Sequence, residues 1–392
     1  MTEHQRHNPV LASLSVLVVL ALWSLPFLQI APNRLVSGQP LYFFAIIQGP
    51  AWLLVAMLAL LTVVAMCKPA RAWLVAALVM SAAMLPSLLW LAASQASLRM
   101  QGELPISLIA RASLGSAFWV SFVLLGFIVS SALQQLRAST LQRVAVCAAL
   151  LLAFGILLSG GVCDDLSLMK EYANRADGFA QVVARHIQIV LLALACTLAI
   201  GLPLGWAAHA HAKAGRALLP LLNIIQTIPS IALFGLLMAP LALLAASVPA
   251  LGRAGISGVG LAPAVIALTL YGLLPVVRST LAGLQQVPSA MVQAARALGL
   301  TQVQTLTHIM LPLALPVLLG GVRTAAVSSV GLAAVTALIG VGGLGSILFE
   351  GLFANAQDVV LLGVLPIIAL GVAVDALFNV LISLARRRVH PW

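Results

Sequence analysis

Gln293-Ala294-Ala295-Arg296-Ala297-Leu298-Gly299, followed after nine further residues by Ile309-Met310-Leu311-Pro312, is the stretch on which the reading of this chain turns. Around it the sequence is nearly continuous hydrocarbon, yet this segment holds Gln293, Arg296, Thr301, Gln302, Gln304, Thr305, Thr307 and His308. Polar side chains at that density need water or a partner. The pattern predicts a short helix over about residues 288–298, lying along a membrane face. Small Ala294 and Ala295 allow close backbone approach, and Gly299 suits a left-handed turn where the helix ends. Pro312 is expected to stop one element and start the next. An ordinary amphipathic helix at the interface is the plainer reading. The complete spacing (Ala-Ala, three residues, Gly, nine residues, Ile-x-Leu-Pro) is more specific than such a helix requires.

Composition fixes the solvent. Of 392 residues, 62% are hydrophobic and 7% charged, and the mean hydropathy is +1.13. A soluble domain carries about 25% charged residues, so this is a polytopic membrane protein. Apolar runs able to cross about 30 Å of hydrocarbon lie near residues 9–31, 49–67, 72–93, 114–133, 144–160, 179–208, 217–247, 260–277, 313–339 and 359–384. The expectation is an all-α fold with about ten transmembrane helices. The first run is too long for a signal-peptide core and lacks a small-x-small site near its end, so it is read as the first span.

The net charge of +11 is topological. With both termini in the cytoplasm, twelve of the twenty Lys and Arg fall inside: Arg6, Lys68, Arg71, Arg137, Arg143, Lys213, Arg216, Arg278, Arg296 and Arg386 to Arg388. Seven fall outside (Arg34, Arg99, Arg111, Lys170, Arg175, Arg185, Arg253), and seven of nine acids, including Glu103, Asp164, Asp165, Glu171 and Asp177, lie outside too. This bias sets the orientation and puts the Gln293–Gly299 helix in the cytoplasm. No nucleic-acid partner is expected. Cys67, Cys147 and Cys196 lie in or beside spans, and only Cys163 falls in an outer loop, so no external disulfide pair is available.

Beyond the opening stretch, the second half carries Gly201-Leu-Pro-Leu-Gly205, Gln226-Thr-Ile-Pro-Ser230, Tyr271-Gly-Leu-Leu-Pro275 and Gly340-Val-Gly-Gly-Leu-Gly345. Together these resemble the permeases of ABC importers, in the osmoprotectant branch that moves glycine betaine and related quaternary amines. Their cytoplasmic loop is written EAA-x3-G-x9-I-x-LP; here Gln293 replaces the Glu. The first half, with Ala31-Pro-Asn-Arg-Leu-Val-Ser-Gly38 and the Asp165–Arg175 stretch, resembles the Yeh-type betaine permeases. The resemblance implies a division into residues 1–160 (five N-terminal helices), 161–177 (a periplasmic connecting segment), 178–385 (a type I, MetI-like importer core of five helices) and 386–392 (a cytoplasmic basic tail).

It implies further that Gln293, Ala294, Ala295, Arg296, Gly299, Ile309, Leu311 and Pro312 form the loop that couples to an ATPase. The partners would be a cytoplasmic ATPase subunit, a periplasmic substrate-binding protein, a second permease copy or paralogue, and membrane lipid, all at a bacterial inner membrane. The chain has no Walker-type Gly-x4-Gly-Lys-Ser/Thr, so it is expected to bind no cofactor and catalyse nothing itself. ATP would be used by the partner subunit.

Other motifs admit two readings each. Gln226, Thr227, Pro229 and Ser230 mark either a kinked gate in the pathway or a helix start capped by Thr227 or Ser230; Tyr271 and Pro275 pose the same choice. Arg323 and Asp375 are the ionisable residues deepest in predicted spans, and a structural ion pair between the ninth and tenth spans is favoured over a transport role. Gly340–Gly345 fits Gly-x-Gly-x-x-Gly but lacks the strand and helix of a nucleotide-binding unit, and reads as a turn. His209-x-His211 has no adjoining Cys or acid, so no metal site is expected. Arg185 and His186 are read as an anchor at the outer end of the sixth span, and Asp164–Asp177 as either a docking surface or a solvated loop. The aromatic residues form no cage in the second half. An ion-coupled secondary transporter, or an importer permease for a different small solute, are the alternatives carried forward.

Overall fold

Eight helices among the described residues are long and apolar enough to cross a membrane. The computed structural model describes residues 8–33, 38–66, 70–100, 110–253 and 255–389. Arg6, Arg34, Lys68, Cys67, Glu103 and the last three residues of the basic tail lie outside them. The chain forms two compact units, Met1–Asn174 and Arg175–Trp392.

In the first unit, α1 (Pro9–Ser24) starts under Asn8, whose side chain accepts from the Leu11 N–H at 3.3 Å. The apolar run 9–31 does not stay helical to its end. Pro26 has no N–H and drives Leu25 into extended backbone, φ −106° and ψ 152°. The chain continues as β1 (Pro26–Ala31), flanked antiparallel by β2 (Gln39–Tyr42) and β3 (Arg111–Leu114) in the order β2-β1-β3. This small sheet is the element that an all-α reading omits. Its inward side chain Phe27 is fully buried, with ring centroids 5.3 Å from Phe43 and 6.0 Å from Phe118, both edge-on.

The rest of the unit is α2 (Phe43–Ile46), α3 (Trp52–Met66), α4 (Arg71–Met100), α5 (Ser116–Gln135), α6 (Thr140–Ser159) and α7 (Ser167–Ala173). α1 and α3 have 16 and 15 residues, about 23 Å each at 1.5 Å per residue. They are shorter than the hydrocarbon but occupy the first two predicted spans, and with the eight long helices they make up the ten. None of the apolar window of α6 is buried, as a helix facing lipid requires. The Asp164–Asp177 segment is not simply a solvated loop: it carries α7, and Glu171 is 1% exposed with Arg111 Nε 4.0 Å from its Oε1. Cys163 is likewise buried rather than in an open loop; burial, and then nearby Asp164, push its thiol pKa up.

The second unit comprises α8 (Ala176–Ala210), α9 (Ala212–Thr227), α10 (Ser230–Ser247), α11 (Pro249–Arg253), α12 (Leu261–Gln285), α13 (Ser289–Ala297), α14 (Gln302–Thr305), α15 (Leu311–Ala333), α16 (Leu344–Phe353) and α17 (Gln357–Val389). The single run 217–247 is divided at Pro229 into α9 and α10, since the proline can donate no hydrogen bond across the junction. Pro312 does not interrupt the helix as expected. Residues 302–333 form one continuous apolar helix, in which Leu306–Met310 widen into a π-turn whose Leu311 N–H reaches Leu306 O. The wider turn accommodates the missing Pro312 donor without ending the helix.

α12 is the centre of this unit, packed on α8 and α15. A Cβ on Gly201 would lie 2.9 Å from Val276, one on Gly205 2.5 Å from Thr280, and one on Gly272 2.7 Å from Thr197. Gly283 meets the Ala314 backbone in the same way at 3.0 Å. In hydrocarbon, helices associate by close packing rather than by expelling water, and small residues permit it. Gly205→Val should therefore lower thermal stability in detergent by about 1–3 kcal/mol or more, as overpacking does. Gly235→Ala on α10, where a Cβ meets nothing within 4 Å, should leave the melting temperature unchanged. Equal melting of the two variants would contradict this packing.

Candidate functional site

The polar island folds as two short helices and a turn. α13 ends in a Schellman motif: Gly299 takes φ +83°, its N–H donates to Arg296 O at 3.0 Å, and the Leu300 N–H donates to Ala295 O at 3.1 Å. Thr301 then caps α14. Its hydroxyl accepts from the Gln304 N–H at 3.3 Å, and the Gln304 side chain accepts from the Thr301 N–H at 2.9 Å. Thr305 and Thr307 donate back to Thr301 O and Val303 O, each at 2.9 Å.

Five of the island's eight polar side chains, with His308 Nδ1 3.0 Å from Gln304 O, are therefore consumed in shaping it. The side chains of Gln293, Arg296 and Gln302 make no hydrogen bond among the described residues. Ala294 and Gly299 are exposed, Ala295 is buried against the following turn, Ile309 is half-buried, and Leu311 and Pro312 face outward at the start of α15. Met291, Leu298 and Val303 add exposed apolar surface, with Leu298 81% exposed. The sequence reading passed over these three; an apolar residue directly before the C-terminal glycine was the available signal.

The second set of predicted residues meets at a hinge. Pro275 in α12 cannot donate to the carbonyl four residues earlier, that of Tyr271. The Gln226 side-chain N–H, from the end of α9, donates to that oxygen at 2.9 Å. Tyr271 in turn donates its hydroxyl to Ile228 O, in the break between α9 and α10. One residue of α12 thus both accepts from and donates to the hinge. Thr227 bonds Ile224 O within its own helix, and neither it nor Ser230 caps α10, whose N-cap is Pro229.

Beside the hinge lies a cleft of about 430 Å³. Gln226, Tyr271 and Pro275 line it; Thr227, Pro229 and Ser230 do not. Arg278, Thr324 and Ser328 complete its polar wall, and sequence reasoning did not select them. Thr324 and Ser328 are four apart on the exposed face of α15, a spacing visible in the sequence but common to many membrane helices.

Arg323 and Asp375 do form an ion pair between α15 and α17, Nε to Oδ1 at 2.6 Å. Asn379, also absent from the sequence reading, closes a triangle by accepting from Arg323 Nη1 at 2.8 Å and donating to Asp375 Oδ2 at 2.9 Å. At the other end of α15, His186 is fully buried with Nε2 3.0 Å from Val330 O, and Arg185 Nε donates to Val341 O at 3.2 Å. These contacts anchor the Gly340–Gly345 segment, whose Gly340, Gly342 and Gly343 all have positive φ. It is a turn.

A family model described as "Binding-protein-dependent transport system inner membrane component" matches residues 198–387, and one described as "ABC transporter permease YehY, N-terminal domain" matches residues 6–169. The osmoprotectant import permease protein OsmW of Salmonella typhimurium is 36% identical over 206 residues, which is 53% of this chain and 91% of that one. This chain belongs to the family of binding-protein-dependent importer permeases. The choline transport system permease protein OpuBB of Bacillus subtilis is 32% identical over 53% of this permease and 86% of its own length. Among solved structures, the permease is similar to a chain of the MetNI methionine ABC transporter, with TM-score 0.47 and 22% identity over 53% of this chain and 95% of that one. The permease is a multi-pass membrane component of an importer, and nothing in the comparisons supports a secondary transporter.

The Gln226–Tyr271 contact generates a double-mutant test. Gln226→Leu should destabilise the permease by about 0.5–1.5 kcal/mol, the net worth of one hydrogen bond at the wall of an open cleft. Pro275→Ala returns an N–H to the Tyr271 carbonyl, so adding it to Gln226→Leu should recover most of that loss in a thermal melt. Strict additivity of the two changes would mean that the bond carries no energy.

Proposed function

We propose that this permease, joined to a separate cytoplasmic ATPase and served by a soluble binding protein, imports glycine betaine or a related quaternary-amine osmoprotectant. The observation that carries the reading is the position of α13. It is strung between α12 and α15, three residues after the first and four before the helix continuous with the second. Those two helices wall the cleft. A push on α13 is transmitted along the backbone to both sides of the cleft at once.

Gln293, Arg296 and Gln302, without a hydrogen bond among the described residues, and exposed Met291, Leu298 and Val303 offer a polar and apolar surface to a docking groove. Gln293 in place of a carboxylate makes that contact a neutral hydrogen bond rather than a charge-assisted one. ATP binding would close the ATPase subunits, move α13 and switch access to the cleft from one face of the membrane to the other. ATP hydrolysis belongs to the partner subunit, and this chain supplies no catalytic group. The positive-inside bias supports both termini and α13 in the cytoplasm. Ten crossings return the chain to the side where it began. The cleft has one tyrosine and no aromatic cage, which suits a solute passed through without tight binding, with selection left to the binding protein.

Substrate identity rests on the likeness to the osmoprotectant permease OsmW and the choline permease OpuBB and is the first thing to measure. In proteoliposomes holding the permease with its cognate ATPase and binding protein, glycine betaine uptake should require ATP. Robust ATPase activity without betaine uptake would keep the importer and replace the cargo. Gly299→Val forces a β-branched residue into left-handed backbone, at a cost of about 1–2 kcal/mol at that one position, and distorts the end of α13. It should abolish uptake while leaving basal ATPase activity at least half intact. Unchanged uptake would exclude coupling through this helix.

A further inference from the structure

The first unit contains an open cavity of about 490 Å³, between Gln48 and Ala51 just before α3, the last third of α4 and the turn that follows α6. Its wall presents the indole of Trp90, the carboxamides of Gln48 and Gln95 and the hydroxyl of Ser94, with Leu98 and Val162 among its apolar members. No Lys, Arg, His, Asp or Glu lines it among the described residues. Gln95 is only 8% exposed, and its carboxamide makes no hydrogen bond among the described residues. Ser94 spends its proton on Leu91 O at 3.0 Å, which leaves its oxygen free to accept. A carboxamide that opens onto a cavity, with no protein partner among the described residues, is satisfied by what enters.

We propose that this cavity binds a net-neutral group carrying a methylated ammonium. The cation rests on the face of Trp90, and the anionic end accepts N–H bonds from Gln95 and Gln48. The wall chemistry decides among ligand classes. A plain anion would find no cationic side chain and a metal ion no carboxylate, so neither would find a compensating charge there. A methylated ammonium has no N–H to satisfy and is held by an aromatic face. A carboxylate or phosphate attached to it makes the ligand neutral overall and uses the two amide donors. The choice of an ammonium zwitterion over other neutral solutes rests on the substrate reading given above. Two sources supply this chemistry in a membrane: a free betaine-type osmolyte and the headgroup of a choline phospholipid.

The test uses the full chain in nanodiscs of phosphatidylethanolamine and phosphatidylglycerol, without ATPase or binding protein, and radiolabelled glycine betaine as the probe. Saturable binding is expected, weakened about tenfold by Trp90→Leu and comparably by Gln95→Leu. Trp23→Leu, at an exposed tryptophan of the same unit, should leave it unchanged. Trp90→Phe should retain part of the affinity and so separates loss of the cation contact from loss of folding. In a second arm, spin-labelled phosphatidylcholine is added to the nanodiscs. Immobilisation by the wild type but not by Trp90→Leu, without betaine binding, assigns the site to the lipid headgroup. The proposal is overturned if neither probe is held, or if folded Trp90→Leu and Gln95→Leu hold them as the wild type does. ATP-driven uptake in the complete importer tests the substrate reading separately. If uptake fails while Trp90-dependent binding persists, the cargo is wrong and the site stands.

Discussion

Hydrocarbon supplies no hydrogen-bond partner, so each carbonyl that a proline frees inside a membrane helix has to be met by another part of the protein. In this permease the constraint converges on Tyr271. Pro275 releases its carbonyl, Gln226 reaches across from α9 to occupy it, and the Tyr271 hydroxyl returns a bond to Ile228. The break between α9 and α10 is thereby tied to the middle of α12. Glycine-mediated contact extends the same fixation outward, since Gly201, Gly205 and Gly272 seat α8 against α12, and Gly283 seats α15. The cleft keeps its shape because the helix at its centre is held from both sides.

A machine built this way can transmit force without a hinge in every helix. The π-turn at Leu306–Met310 keeps α14 and α15 continuous through Pro312, so the chain from α14 to the cleft wall is helical throughout. The Schellman closure at Gly299 does the complementary work, turning the chain sharply while leaving the exposed face of α13 free. The Arg323–Asp375–Asn379 triangle joins α15 to α17. Both charges are more than a third exposed within the isolated chain, so the pair is not a sealed core contact. Its value lies in fixing the relative register of two helices rather than in raw stability.

Much of the candidate site was legible from residues alone. The Ala-Ala-x3-Gly spacing implied a helix closed by a left-handed turn, and that is the geometry at Ala295–Gly299. The proline at 229 marked a helix boundary, and Arg323 and Asp375 marked a pair. What escaped were residues whose importance is relational. Asn379, Arg278, Thr324 and Ser328 are unexceptional in sequence and matter only for what stands opposite them. The first unit held the other surprise: Pro26 turns an apolar run into a strand, because a single missing N–H outweighs the helical preference of its neighbours.

The sequence by itself determined the solvent, the apolar runs that enter the membrane and the family, because these depend on composition and on local spacing that no folding can alter. It also marked particular breaks, at Pro26, Pro229 and Gly299, where proline or glycine acts through its own backbone. The tertiary structure alone decided which freed carbonyl Gln226 would satisfy, that Pro312 would be spanned by a π-turn, and that Gln95 would face a cavity with no hydrogen bond among the described residues. Those outcomes depend on which helices approach one another closely enough for side chains to cross between them. That approach is set by packing summed over whole helices rather than by any residue's own propensity.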